Sequence, residues 1–127
     1  MKTILVDAIG AFVSEGKGIY KPLYGLLEEY QNRKIVLTMA PDNLMEKWGL
    51  NDLPYEVHTS KLNPKKSDPE YYRQVMEKFD LKANKTLCFE HDEAAAESAR
   101  SVGITTHFYD SEKKDLSALK FFLDSSL

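Results

Sequence analysis

Apolar residues are grouped along this chain in two ways. Compact runs stand at Thr3 to Val6, Lys34 to Leu37 and Thr86 to Phe89, apolar or β-branched without strict alternation, as in strands covered on both faces. Weaker runs of the same kind are Tyr55 to His58 and Ile104 to Tyr109, the latter introduced by Gly103, which suits a left-handed turn after a helix. Between them apolar residues recur at three- and four-residue steps: Leu23, Leu26, Leu27 and Tyr30, then Tyr72, Val75, Met76 and Phe79. Each such stripe covers one face of a sheet when it forms a helix. Pro69, with Asp68 before it as a cap, marks a helix start. The alanine-rich stretch Glu93 to Val102 and the stripe Leu116, Leu119, Phe122 and Leu123 give two more helices. Strand and helix alternate from end to end, which predicts one α/β domain over residues 1–127: three-layer, Rossmann-like, with a five-stranded, mainly parallel sheet and right-handed crossovers.

Composition narrows the function classes. At 127 residues and 43% apolar, the chain has enough material for one core and too little for two domains. Its 17 basic and 20 acidic residues leave a net charge of -3, so no basic field is expected for nucleic acid. The apolar start Ile4-Leu5-Val6 is cut short by Asp7, and no run reaches the roughly 18 residues of a membrane helix. No signal peptide and no membrane partner are expected. Cys88, the single cysteine, lies inside an apolar run; with no disulfide within the chain, a cytoplasmic address is expected.

The residues that end the strands carry the chemistry. Asp7 ends the first, Thr38 the second, and Glu90-His91-Asp92 the fourth, while the irregular segment Thr59 to Asp68 brings Lys61, Lys65 and Lys66 in front of Pro69. In an open parallel sheet such loops gather at the carboxyl ends of the strands, where ligands bind. A carboxylate, a hydroxyl, an ammonium and an acidic cluster on one edge suit a phosphoryl group, which needs a nucleophile, donors to its oxygens and cations against its charge.

Four segments, in order and spanning nearly the whole chain, resemble the four motifs of the haloacid dehalogenase (HAD) superfamily. Asp7-Ala8-Ile9-Gly10-Ala11 resembles the first, aspartate, any residue, aspartate, glycine, then threonine or valine. Thr38 matches the hydroxyl of the second, and Lys66 through Tyr72, with Pro69, is similar to the third. Phe89-Glu90-His91-Asp92 and the helix ending Ala99-Arg100-Ser101-Val102-Gly103 resemble the fourth. The resemblance implies a HAD-like fold in which Asp7 is the nucleophile, forming a covalent aspartyl intermediate, Thr38 and Lys66 hold the transferred group, and Asp7 with Glu90 binds magnesium. Ile9 replaces the second aspartate, which in the phosphatases protonates the leaving oxygen and activates water; loss of such a group costs ~10²–10⁴ in rate. Glu90 and His91 stand where paired acids or glycine-aspartate are usual, and magnesium seldom takes imidazole, so its binding is expected to be weak or absent. Only about twenty-odd residues separate Asp7 from Lys34, enough for one crossover helix, so no cap domain is expected.

Two functional classes follow from the resemblance. One is a phosphatase-like hydrolase with weak or lost activity on phosphoryl compounds, the other a non-catalytic module that binds a small phosphorylated ligand or a protein partner in the same crevice. A haloacid dehalogenase is the third reading: its first motif also lacks the second aspartate, and Lys66 and Tyr72 keep its spacing, but its cap has no counterpart here. Bland readings stand beside these. Asp7 is also a strand-end turn cap, Thr38 a β-branched strand end, and Lys66 one of a solvated lysine cluster. His91 reads better as a hydrogen-bonding residue than as a ligand, Glu90 and Asp92 as favourable charge at a helix start, and Trp48 as packing. Substrate and oligomeric state are left open.

Overall fold

The computed structural model describes residues 1–14, 17–39, 52–59 and 64–127. Five strands, β1 (Thr3–Asp7), β4 (Lys34–Thr38), β5 (Glu56–Thr59), β6 (Thr86–Glu90) and β7 (Thr105–Phe108), form one sheet in the order β5-β4-β1-β6-β7. Every neighbouring pair in it is parallel, with Asp7 opposite Leu37 and Val6 opposite Phe89. The three compact runs are the three central strands, and all their residues are buried. That is why they lack alternation: Ile4 and Val6 face one core layer while Leu5 faces the other.

Helices α1 (Lys21–Leu27) and α4 (Leu116–Ser126) cover one face through Leu23, Leu26, Leu27, Leu119 and Leu123. The other is covered by α2 (Pro69–Lys78) and α3 (Glu93–Ser101) through Tyr71, Tyr72, Val75 and Ala99. Asp68 caps α2 as expected, accepting from the Glu70 N–H at 3.0 Å, and Asp92 does the same for α3 from Ala94 at 3.1 Å. Side-chain acceptors at this position satisfy N–H groups that the helix cannot. Gly103 follows α3 at φ +91°, the left-handed turn that its position suggested.

Two departures from the sequence pattern bear on the site. The stripe running to Tyr30 is helical only to Leu27; Tyr30 lies beyond the turn, its hydroxyl donating to Asp124 at 2.6 Å. Between β1 and α1 a short antiparallel pair, β2 (Val13–Ser14) and β3 (Gly18–Ile19), follows the turn after Asp7. Strands of two residues carry no periodicity, so nothing in the pattern announced them. Trp48 and Lys61 lie outside the described residues. Among the described residues no helix is long and apolar enough to cross a membrane.

Candidate functional site

Parallel pairing of β4, β1 and β6 sets the carboxyl ends of three neighbouring strands side by side, and with them Thr38, Asp7 and Glu90. All three are buried, at 2%, 2% and 1% exposure. Lys66 comes to them from the turn before α2. Its Nζ donates to Asp7 Oδ1 at 3.0 Å and to the Leu37 carbonyl at 3.1 Å, and lies 3.0 Å from Glu90 Oε1. Lys65, its neighbour, is exposed. One lysine of the cluster is thus drawn in by two buried carboxylates, which is why charge density along the loop alone could not single it out.

The far side of Asp7 belongs to His91. Its backbone N–H donates to Asp7 Oδ2 at 3.0 Å, and its ring Nδ1 makes a short contact to the same oxygen. Tyr72, buried in α2, donates its hydroxyl to Glu90 Oε1 at 2.8 Å. Sequence reasoning found Asp7, Lys66 and Glu90 but gave His91 no target and Tyr72 no partner. The available signal was topological: His91 is the first residue past β6, and the end of β6 abuts the end of β1.

Ionisation follows from this geometry. Burial alone would raise the Asp7 carboxyl, but the charge of Lys66 and the bonds from His91 outweigh it and hold it down at about 2. For Lys66 burial favours loss of the proton, and the two flanking carboxylates reverse that, so its value rises above the ordinary one. Glu90 moves the other way. Burial pushes it up to about 8; Lys66 opposes this, while the charge on Asp7 adds to it. One ammonium between two buried carboxylates favours ionising only one of them. His91 is raised by its hydrogen bond to Asp7, against partial burial.

Ligating atoms of Asp7, Glu90 and His91 lie within 4.8 Å of one another. This donor set does not fit magnesium. Both Asp7 oxygens accept from Lys66 or His91, and both Glu90 oxygens face Lys66, at 3.0 and 3.4 Å. Magnesium demands near-octahedral oxygen ligation, and here one of the three donors is an imidazole resting on the oxygen that the ion would need.

Gly10 makes room for that imidazole. A Cβ at this position would sit 2.6–2.9 Å from the His91 ring, and φ is +98°. Gly10→Ala is therefore expected to displace the ring from Asp7 and to destabilise the fold by ~1–2 kcal/mol through the left-handed backbone alone. Urea denaturation checks the second effect, and the chemical shift of the His91 ring checks the first.

Ile9 is half-buried, packs against the apolar core and lines a cavity of about 400 Å³ beside His91.

No protein-family model matches the sequence. No curated protein matches it either. Among solved structures the chain is similar to a HAD-family enzyme of Bacteroides thetaiotaomicron in complex with magnesium and inorganic phosphate: TM-score 0.69, 14% identity, over 94% of this chain and 98% of that one. It is also similar to D,D-heptose 1,7-bisphosphate phosphatase from Burkholderia thailandensis, with TM-score 0.65 and 13% identity over 98% of each chain.

Proposed function

We propose that this chain, which has the fold of the HAD-family phosphatases, is a phosphoryl-binding protein that keeps the aspartyl nucleophile and has weak or no phosphohydrolase turnover. The observation that carries this reading is the placement of one buried, ionised carboxylate, Asp7, at the end of the central strand, between Lys66 and His91. In the forward step an Asp7 oxygen attacks phosphorus, and the bond to the leaving oxygen breaks with its electron pair on that oxygen. Lys66 offsets charge on the transferred group, with Thr38 beside it at the end of β4. An alkoxide leaving group needs a proton at that moment, and Ile9 has none to give. Hydrolysis of the aspartyl phosphate needs an activated water, and Ile9 cannot supply that either. Magnesium binds in the millimolar range or not at all, because His91 must first leave Asp7.

The test uses acetyl phosphate, whose leaving group requires little protonation. Intact-mass measurement is expected to find a phosphoryl adduct on wild type and none on Asp7→Asn. Turnover of ordinary phosphomonoesters is expected near background, and Ile9→Asp is expected to raise it by up to ~10²-fold. Wild-type hydrolysis at ~1–10³ s⁻¹, abolished by Asp7→Asn, would overturn the reading and make His91 the first candidate for proton donor. Micromolar magnesium affinity by calorimetry would overturn the metal part. Phosphate binding with no adduct from any donor would favour the purely binding form, which the engagement of every Asp7 and Glu90 oxygen already supports.

A further inference from the structure

The cavity beside Ile9 has a chemistry of its own. It is bounded on one side by the turn after β1, with Ile9 and Ser14, and on the other by the segment after β7, with Tyr109, Ser111 and Lys114; His91 forms the wall shared with Asp7. Every polar side chain among these described lining residues offers a hydrogen-bond donor, and none is a carboxylate. Of the nearby acids, Asp110 Oδ1 accepts from the Glu112 and Lys113 N–H groups at 2.9 and 3.2 Å and Asp115 Oδ1 from Ala118 at 3.0 Å, and their charge, which reaches Tyr109, stands against that of Lys114.

Tyr109 adds a buried donor to this wall. It is 1% exposed, and its hydroxyl has no hydrogen-bond partner. A buried hydroxyl without a partner is disfavoured, so a ligand oxygen that reaches it gains a hydrogen bond at no cost to another pair. Lys114 holds the left-handed conformation that side chains rarely adopt, at φ 49°, with its ammonium 4.6 Å over the Tyr20 ring. The turn from Asp110 to Lys114 closes on a 2.8 Å hydrogen bond and brings Ser111 and Lys114 to the cavity rim. Unsatisfied donor capacity, a cation at the rim and no lining carboxylate describe a place for an anion.

We infer that this cavity is a second anion subsite, taking an acidic group carried by the part of the ligand that is not the transferred phosphoryl, with Tyr109 donating to its oxygen and Lys114 offsetting its charge. The inference rests on the phosphoryl reading of Asp7 and Lys66 and narrows it: the ligand is a compact phosphate ester with a second acid, carboxylate or phosphate. A volume of about 400 Å³ accommodates a small metabolite of that kind.

Isothermal calorimetry on the full chain tests it with 3-phosphoglycerate against glycerol 1-phosphate, which differ in one carboxylate, and with glycerol 1,3-bisphosphate as the second-phosphate arm. The acid is expected to bind about 10–100-fold tighter than the alcohol, the weight of a charge-assisted hydrogen bond. Whichever arm wins identifies the second acid. Lys114→Ala is expected to remove most of that preference and Tyr109→Phe part of it, with affinity for inorganic phosphate unchanged in both. Tyr109→Phe is also expected to keep or raise the melting temperature, whereas a hydroxyl with a structural partner would lower it. Equal affinities for acid and alcohol in wild type overturn the subsite while sparing the phosphoryl reading. If no phosphate compound binds, that reading has failed and the subsite is read with glycerate alone: amide shifts at Ser14, Ser111 and Lys114 that vanish in Lys114→Ala sustain it, and their absence overturns it too.

Discussion

Lys66→Met is expected to cost the fold about 3–5 kcal/mol at pH 7, a large part of the ~5–15 kcal/mol that holds a domain of this size together. Methionine keeps the apolar stem but removes the ammonium from between two carboxylates that are 2% and 1% exposed. Neither carboxylate has solvent to turn to. Breaking one member of a buried ion network leaves an uncompensated charge, and here it leaves the ionised Asp7 beside Glu90 with only the bonds from His91 against its charge. The sign of the pH dependence follows. Asp7 has its value lowered to about 2 from 3.8, so its contribution is present above about pH 4 and lost as pH falls toward 2. Because Lys66 is the largest charge responsible for that lowering, the gap between wild type and Lys66→Met should narrow as pH drops below about 4. Urea midpoints across pH 3–8 check both statements. A gap under about 1 kcal/mol at neutral pH would mean that Lys66 is solvated and interchangeable with Lys65. Asp7→Asn added to Lys66→Met should cost less than the sum of the two, since the residues share one interaction.

The parallel sheet was legible because burial on both faces leaves a mark that few other environments leave: Ile4-Leu5-Val6, Ile35-Val36-Leu37 and Leu87-Cys88-Phe89 have no polar position to interrupt them. Strand order, β5-β4-β1-β6-β7, leaves no such mark in the runs themselves. Within the site, Asp7 and Glu90 were legible as the first charged residues after such runs, since a strand buried at both faces can carry charge only at its end. Lys66 was legible through Asp68 and Pro69, which start α2 and so fix where the loop closes. What the sequence could not carry was pairing across the sheet. Tyr72 sits on the apolar face of α2 like Tyr71 and Val75, and only the approach of β6 gives its hydroxyl an acceptor. His91 looks like one more polar residue before a helix until β6 is placed beside β1. The cavity required the turn after β1 and the segment after β7, 100 residues apart in the case of Ile9 and Tyr109, to meet across the strand ends.

Glu90→Gln is expected to gain on wild type by on the order of 3 kcal/mol as pH rises from 5 to 8. The sign is set by the direction of the shift. Burial raises the Glu90 carboxyl from 4.5 to about 8, so between those values the folded chain binds a proton that the unfolded chain has released. Stability contributed by the neutral form is complete below about pH 4.5 and is lost as pH climbs toward 8. Glutamine is neutral throughout and its amide oxygen still accepts from Tyr72, so it escapes that loss. Three histidines also titrate. His91 is raised by Asp7, adding stability that fades as pH rises, while His58, lowered to about 4, and His107 are both lowered by burial, adding stability that fades as pH falls. All three are present in wild type and variant, so the difference between the two curves reports Glu90. Chemical denaturation at half-unit steps from pH 4.5 to 8.5 measures it. A difference that is flat, or that favours wild type with rising pH, would show Glu90 ionised and paired with Lys66 at neutral pH. The expected result bears on function as well as stability. With Glu90 neutral, the charge of Lys66 is balanced by Asp7 alone, and the ammonium can turn toward an arriving phosphoryl group at less cost than one shared between two anions. Glu90→Gln should then leave phosphate affinity near that of wild type at pH 6, and the two proteins should diverge only as wild-type Glu90 ionises.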